Sequence, residues 1–284
     1  MTNRSRKNKQ RNAIDTQPQL YGVIGHPVAH SLSPAMHTLA LTTAGINGVY
    51  LAFDVTDLAS AIAGIRALPI QGVSVTVPHK TTIMPYLDAI DDIALAIGAV
   101  NTITNDNGRL TGHNTDAYGA ITALEQHCGS IRGKTIAILG AGGAARAVGY
   151  GAIQKGARIH IINRTRSKGE KLAADLGADY LDPSQLPEIP CDILINSTSA
   201  GMHPHTDEMP IPPDALPSGI TVMDIIYNPL ETRLLKEAST RGCKTIDGVS
   251  MFVHQGARQF FLWTGREPPV DQMTALVYAT LKNT

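Results

Sequence analysis

At 284 residues and 43% hydrophobic content, the chain is long enough to bury a sizeable core in one or two domains. Its 24 basic and 24 acidic residues cancel, which leaves no electrostatic footprint for nucleic acid or a membrane surface. No apolar run approaches the roughly 20 residues that span a bilayer, the N-terminus lacks the apolar core of a signal peptide, and Cys128, Cys191 and Cys243 sit far apart outside any C-x-x-C, so a soluble cytoplasmic protein without disulfides or a zinc site is expected.

Residues 1–17 open with Arg4, Arg6, Lys7, Lys9 and Arg11 and almost nothing apolar, and are read as a disordered basic tail. Structure is predicted to begin near Leu20 with a strand over Tyr21–Gly25. Ser33 followed by Pro34 reads as an N-cap and first helical residue, with the helix stopping at Gly45. A strand (Val49–Phe53), a helix (Leu58–Ala67) and a strand (Gly72–Val77) follow, an alternation that argues for an α/β unit with a mostly parallel sheet. Ligands of such sheets gather beyond the carboxyl ends of the strands, where Ser31, Ser33, Ser74, Thr76 and Lys80 fall. A serine or threonine beside a turn is ordinarily a cap or turn residue. Five such groups on one rim instead suit a small polyhydroxylated ligand, because each ligand hydroxyl needs a donor and an acceptor.

Helical segments are predicted over Thr81–Leu87 and Asp91–Ile97, then a strand over Gly98–Ile103 and a hairpin turn at residues 105–108. Asn101 and Asp116 come to the same rim. Asn114 or Thr115 can cap the helix Asp116–His127, where an acid in the first turn is favoured by the dipole alone.

The stretch Lys134–Ala147, KTIAILGAGGAARA, reads as a buried strand, a tight turn and a helix start. Gly140, Gly142 and Ala145 fit G-x-G-x-x-G/A, the turn that brings a pyrophosphate onto the free amides of a helix N-terminus. A second strand, Arg158–Ile162, ends where the ribose-binding residue belongs. Asn163 stands there, with Arg164, Thr165, Arg166 and Lys168 after it. A neutral residue among cations leaves room for a 2′-phosphate, so the cofactor is read as NADP rather than NAD. Helix Ser167–Leu176, strands Ile193–Asn196 and Thr221–Asp224, helix Glu231–Arg241 and a strand near Lys244–Ile246 complete the unit. The proline-rich 199–217 is read as an ordered irregular loop, and His203 and His205 within it as loop residues rather than metal ligands. Helices Val249–Trp263 and Gln272–Leu281 pack back on the first unit. Gln255 lies on the apolar stripe of its helix, and a buried amide there needs a polar partner.

Taken together these motifs resemble the shikimate dehydrogenase family over Tyr21–Leu281: GHP at 25–27 with HSLSP at 30–34 and His37, VTVPHK at 75–80, GAVNT at 98–102, GHNTD at 112–116, NSTSAGM at 196–202, Asp224 with Tyr227 and Pro229, and Gln255. The resemblance implies a two-domain α/β fold, with residues 18–117 plus 253–284 as the substrate domain and 118–252 as a Rossmann NADP domain. It implies reversible NADPH-dependent reduction of 3-dehydroshikimate to shikimate, on the route to chorismate and the aromatic amino acids, by a monomer or homodimer. Lys80 and Asp116 would be the catalytic pair. Ser31, Ser33, Ser74, Thr76, Asn101, Tyr227 and Gln255 would join them around the substrate. Gly140, Ala141, Gly142, Gly143, Ala144, Ala145, Asn163, Arg164, Thr165, Lys168, Thr198, Met202, Ile225 and Gly248 would hold the cofactor. Ser74 replaces an asparagine common in the family, and Thr38 another. The nearest alternative is a quinate or dual quinate/shikimate dehydrogenase; a non-catalytic nucleotide-binding relative fits less well because it needs neither Lys80 nor Asp116, and another Rossmann enzyme such as a methylene-tetrahydrofolate dehydrogenase because it shares the glycine turn but has no need of the paired serines.

Overall fold

The computed structural model describes residues 18–282; the basic tail read over 1–17 lies outside them. The first half runs β1 (Gln19–Gly25), α1 (Ser33–Thr43), β2 (Gly48–Asp54), α2 (Leu58–Ala67), β3 (Ile70–Val75), β4 (Ala89–Ile90), α3 (Asp92–Ile97), β5 (Thr102–Asp106), β6 (Arg109–His113) and α4 (Asp116–Cys128). The second runs β7 (Thr135–Leu139), α5 (Gly143–Gln154), β8 (Arg158–Ile162), α6 (Arg166–Leu176), β9 (Asp179–Leu181), β10 (Ile193–Asn196), β11 (Thr221–Asp224), α7 (Arg233–Thr240), β12 (Lys244–Ile246), α8 (Gly248–Thr264) and α9 (Val270–Lys282).

These strands form two six-stranded sheets, β2-β1-β3-β5-β6-β4 and β12-β11-β10-β7-β8-β9, in a two-domain α/β fold. The second sheet is parallel throughout, and its strand order reverses between β7 and β10, which opens a crevice at their carboxyl ends. The first is parallel where β1 meets β2 and β3, but β5 runs antiparallel to both β3 and β6. The 105–108 turn causes the β5–β6 reversal, since a short hairpin connection can only join antiparallel strands.

Three local expectations are corrected. The strand expected from Gly98 starts at Thr102, because Gly98, at φ 72°, is the left-handed cap that closes α3. The helix expected over Thr81–Leu87 shrinks to a single 3₁₀ turn, Met84–Tyr86. Pro85 supplies no amide, and Thr81, Thr82 and Ile83 are β-branched. Ser33 is not the cap of α1 but its first residue; Ser31 Oγ accepts the Ser33 amide at 3.2 Å instead. The short strands β4 and β9 carry too little pattern to be read from sequence.

Both halves depend on α8 and α4. Val249, Phe252, Val253, Ala257 and Phe260 of α8 pack with Met273 and Val277 of α9 against Tyr21, Val23, Met36 and Ala40 of the first half. On α4, Ala120, Ile121, Ala123 and Leu124 pack with Ile136 and Ile138 of the second. The helices cross at Gly119, where a Cβ would lie 2.7 Å from the Met251 carbonyl oxygen and 2.9 Å from Gln255 Cβ, so only glycine permits the approach. Among the described residues no helix is long and apolar enough to cross a membrane.

Candidate active site

Lys80 follows β3 in a turn pinned by its own carbonyl, which accepts the Val100 amide at 2.7 Å. Asp116 opens α4, where the helix dipole favours an anion. Lys80 Nζ donates to Asp116 Oδ2 at 2.5 Å, with side-chain exposures of 17% and 6%, so the pair is largely withdrawn from solvent. The lysine stem also rests on the other half: a Cβ on Gly143 would lie 3.4 Å from Lys80 Cβ and Cδ. The amine and acid therefore meet at the mouth of the second sheet's crevice.

Asp116 Oδ1 is engaged as well, by Asn101 Nδ2 at 2.8 Å. The direction of this bond is fixed by the surroundings. Asn101 Oδ1 accepts the Thr115 amide at 2.8 Å and the Thr102 hydroxyl at 2.7 Å; a backbone N–H only donates, so the other face of the amide must be the donor. The same logic runs through Gln259, which is fully buried on α8. Its Nε2 donates to the Asn101 carbonyl at 3.1 Å and Thr102 Oγ1 at 3.0 Å, and its Oε1 accepts from Ser74 Oγ at 2.8 Å. Tyr50 donates to Ser74 at 2.6 Å. Ser74 thus has its only hydrogen engaged and meets the cleft as an acceptor alone, while the Asn101 amide is directed at the acid rather than left free.

Elsewhere on this rim Tyr227 lies against Phe252 at 4.3 Å between ring centroids. Burial raises its hydroxyl pKa, while the Leu32 backbone and Ser31 hydroxyl bond to it. Ser31, Ser33 and Tyr227 are therefore neighbours. Thr76 keeps its hydroxyl unpartnered among the described residues. Gln255 is half-buried rather than buried; its Nε2 donates to the Phe252 carbonyl at 2.8 Å and its Oε1 faces Asn101 at 3.4 Å. The buried amide inferred for Gln255 belongs one turn further on, to Gln259. His37 is a packing group: it stacks on Tyr50 at 4.5 Å, and burial, partly offset by the adjacent Gln259 side chain, lowers its pKa to about 3.

Across the cleft, Gly140 takes φ +113°, and a Cβ there would lie 2.8 Å from Ser197 Oγ, so the turn tolerates no side chain. Gly142 caps α5 in extended conformation without a side-chain bond, and the first-turn amides of Gly143, Ala144 and Ala145 are left to a ligand. At the end of β8, Asn163 Nδ2 donates to the Thr165 carbonyl at 2.8 Å. Arg166 pairs with Glu170 at 2.8 Å, whereas Arg164 and Lys168 are exposed and have no acidic partner among the described residues. Cations in the first turn of α6 oppose its dipole. An anionic group bound there would offset that, so the donor set fits a phosphorylated dinucleotide.

Family descriptions match in the same order along the chain: the shikimate dehydrogenase substrate binding domain over residues 23–103, shikimate / quinate 5-dehydrogenase over 122–211, and the shikimate 5′-dehydrogenase C-terminal domain over 248–278. A shikimate dehydrogenase (NADP(+)) of Moorella thermoacetica is 47% identical, covering 89% of this chain and 90% of its own length. The chain belongs to the shikimate dehydrogenase family. A relative of the same description from Methanocaldococcus jannaschii is 46% identical over 92% of the chain and 96% of its own. The crystal structure of the Thermus thermophilus shikimate 5-dehydrogenase, in complex with NADP(H) and shikimate, superposes with a TM-score of 0.86 at 36% identity, covering 92% of this chain and 99% of that one.

Within this family member, Thr198, Ile225 and Gly248 fall together beyond β10 and β11, with Met202 exposed at the end of the same turn. Asn196 Oδ1 accepts from both the amide and hydroxyl of Thr198, at 3.0 and 2.7 Å. A Cβ on Gly248 would lie 2.5 Å from the Ile225 and Ile226 carbonyl oxygens, so α8 starts directly on that backbone. Sequence reasoning missed two residues here. Gln259 was hidden behind Gln255, although it too lies on the apolar stripe. Asp224 stands out in the sequence only as a motif residue, yet it is fully buried beneath this end of the crevice.

Proposed function

We propose that this chain catalyses the reversible NADPH-dependent reduction of 3-dehydroshikimate to shikimate, with Lys80 and Asp116 as the catalytic pair. The observation that carries the reading is the Lys80–Asp116 contact at 2.5 Å, seated against Gly143 at the start of the dinucleotide helix. NADPH supplies a hydride when bound. A ketone carbon receiving hydride leaves negative charge on its oxygen, and the Lys80 ammonium is placed to stabilise that charge and provide the proton. Asp116, held by Asn101 and Lys80, orients the ammonium. Ser31, Ser33 and Tyr227 present hydroxyls to the substrate carboxylate, and Thr76, Asn101 and Gln255 line the ring hydroxyls, with Ser74 as an acceptor.

The turn Gly140 to Ala145 would carry the pyrophosphate, Asn163, Arg164, Thr165 and Lys168 the adenosine ribose and its 2′-phosphate, and Thr198, Met202, Ile225 and Gly248 the nicotinamide end. On this reading residues 18–117 with 253–284 form the substrate unit and 118–252 the cofactor unit. The three free cysteines suit a reducing cytoplasm, and we take the working form to be a monomer or homodimer. NADP reduction, followed optically with shikimate and then quinate, tests the assignment. Turnover is expected with shikimate well above quinate. A preference for quinate, or for NAD, would reject it.

A further inference from the structure

Asn114 stands two residues before Asp116 and is buried. Its Oδ1 accepts the Asp116 amide at 3.0 Å and the Ala117 amide at 3.4 Å, and its Nδ2 donates to the Ala99 carbonyl at 2.9 Å. Backbone amides only donate, so the oxygen must face α4 and the nitrogen must face Ala99. Thr115, the other residue able to cap α4, makes no side-chain bond to the helix and has its hydroxyl turned to Asn101 instead.

Capping requires the oxygen alone, which serine, threonine or aspartate would supply as well. What only the amide adds is the donor to Ala99. The next residue, Val100, gives its own amide to the Lys80 carbonyl at 2.7 Å. One side chain therefore ties the peptide that carries Asp116 to the strip that pins Lys80. Asn101 directs the Asp116 carboxylate and holds the Thr115 amide; the amides of Asp116 and Ala117 are left to Asn114. The tie matters because the Lys80–Asp116 contact, at 2.5 Å, ceases to be a charge-assisted hydrogen bond once it lengthens beyond about 3.5 Å. We propose that Asn114 is a positioning residue whose amide nitrogen sets the separation of Lys80 and Asp116, beyond its part in starting α4. This rests on the reading of those two residues as the catalytic pair.

Steady-state kinetics with shikimate and NADP, and thermal melts, both on the full chain, separate the two roles. Asn114→Ala removes the cap and the tie. Asn114→Ser keeps an oxygen for the cap and has no nitrogen for Ala99. The alanine variant should melt below wild type and the serine variant should recover most of that loss. Both should nevertheless lose kcat roughly tenfold, with the shikimate KM within about twofold of wild type. In a Lys80→Ala background neither substitution should lower kcat further, because residues that act as a unit are not additive. If Asn114→Ala does not fold, Asn114→Ser alone carries the test. Wild-type kcat in Asn114→Ser, or the same loss repeated in the Lys80→Ala background, would overturn the proposal. Absence of shikimate turnover in the wild type itself would overturn the proposed reaction, and this inference with it.

Discussion

On the first sheet's side of the cleft nearly every polar side chain is bonded to a neighbour, from Tyr50 through Ser74, Gln259, Thr102 and Asn101 to Asp116 and Lys80. On the second sheet's side the first-turn amides of α5 and the cations Arg164 and Lys168 have no such partners. The first face is a closed network whose bond directions are already set, which suits a reaction needing charge at one point. The second is an open set of donors that suits a ligand arriving with its own negative charge.

Removing the charge at the end of the closed network should have the largest effect. Lys80→Ala is expected to lose turnover by on the order of 10² or more with little change in substrate KM; steady-state kinetics showing the reverse would break the contrast. Interrupting that network midway should cost stability. Gln259→Leu leaves the Asn101 carbonyl, Thr102 and Ser74 short of partners, and about 2 kcal/mol should be lost in urea unfolding, together with a raised KM for shikimate but not for NADPH. On the open face, alanine at both Arg164 and Lys168 should raise the NADPH KM roughly tenfold with NADH almost unaffected, and equal effects on both coenzymes would show the cations to be mere helix residues.

The smallest effect concerns stability at Asp224. Its pKa of about 6 lies above the ordinary 3.8, so the folded state holds the proton more tightly than the unfolded one. Stability is then lost as pH rises from about 4 through 6 and remains lower above it. Thermal melts of the wild type should therefore lose stability between about pH 4 and 6, and Asp224→Asn, which has no proton to release, should lose that slope.

Much of this was legible because the motifs sit at strand ends, where the α/β pattern itself says ligands go. The Gly140 turn, β8, β10 and β11 follow from short apolar runs bounded by turn residues. Lys80 and Asp116 were readable as rim residues through the spacing of strands and caps. Their 2.5 Å contact was not, since it depends on how two turns far apart in sequence are brought together. Gln259 and Asp224 were obscure for a related reason: a polar residue in an apolar run reveals burial, but its partners arrive from distant segments. Ser74 shows the limit most clearly. A serine offers one donor where an asparagine offers two, and only Tyr50 and Gln259 reveal that this one hydrogen is already engaged.

One helix carries a mechanical consequence. α8 begins against the Ile225–Ile226 backbone, crosses α4 at Gly119, supplies Gln259 to the substrate floor, and ends with Trp263 Nε1 bonded to the Ile103 carbonyl at 2.9 Å. It is an axle fastened in both lobes, so the cleft can widen only by rotation around it. Such a rotation would carry Gly143 and the dinucleotide turn away from Lys80, which stays with Ser74 and Gln259, making that turn the moving jaw and the lysine with the floor beneath the ring the stationary one.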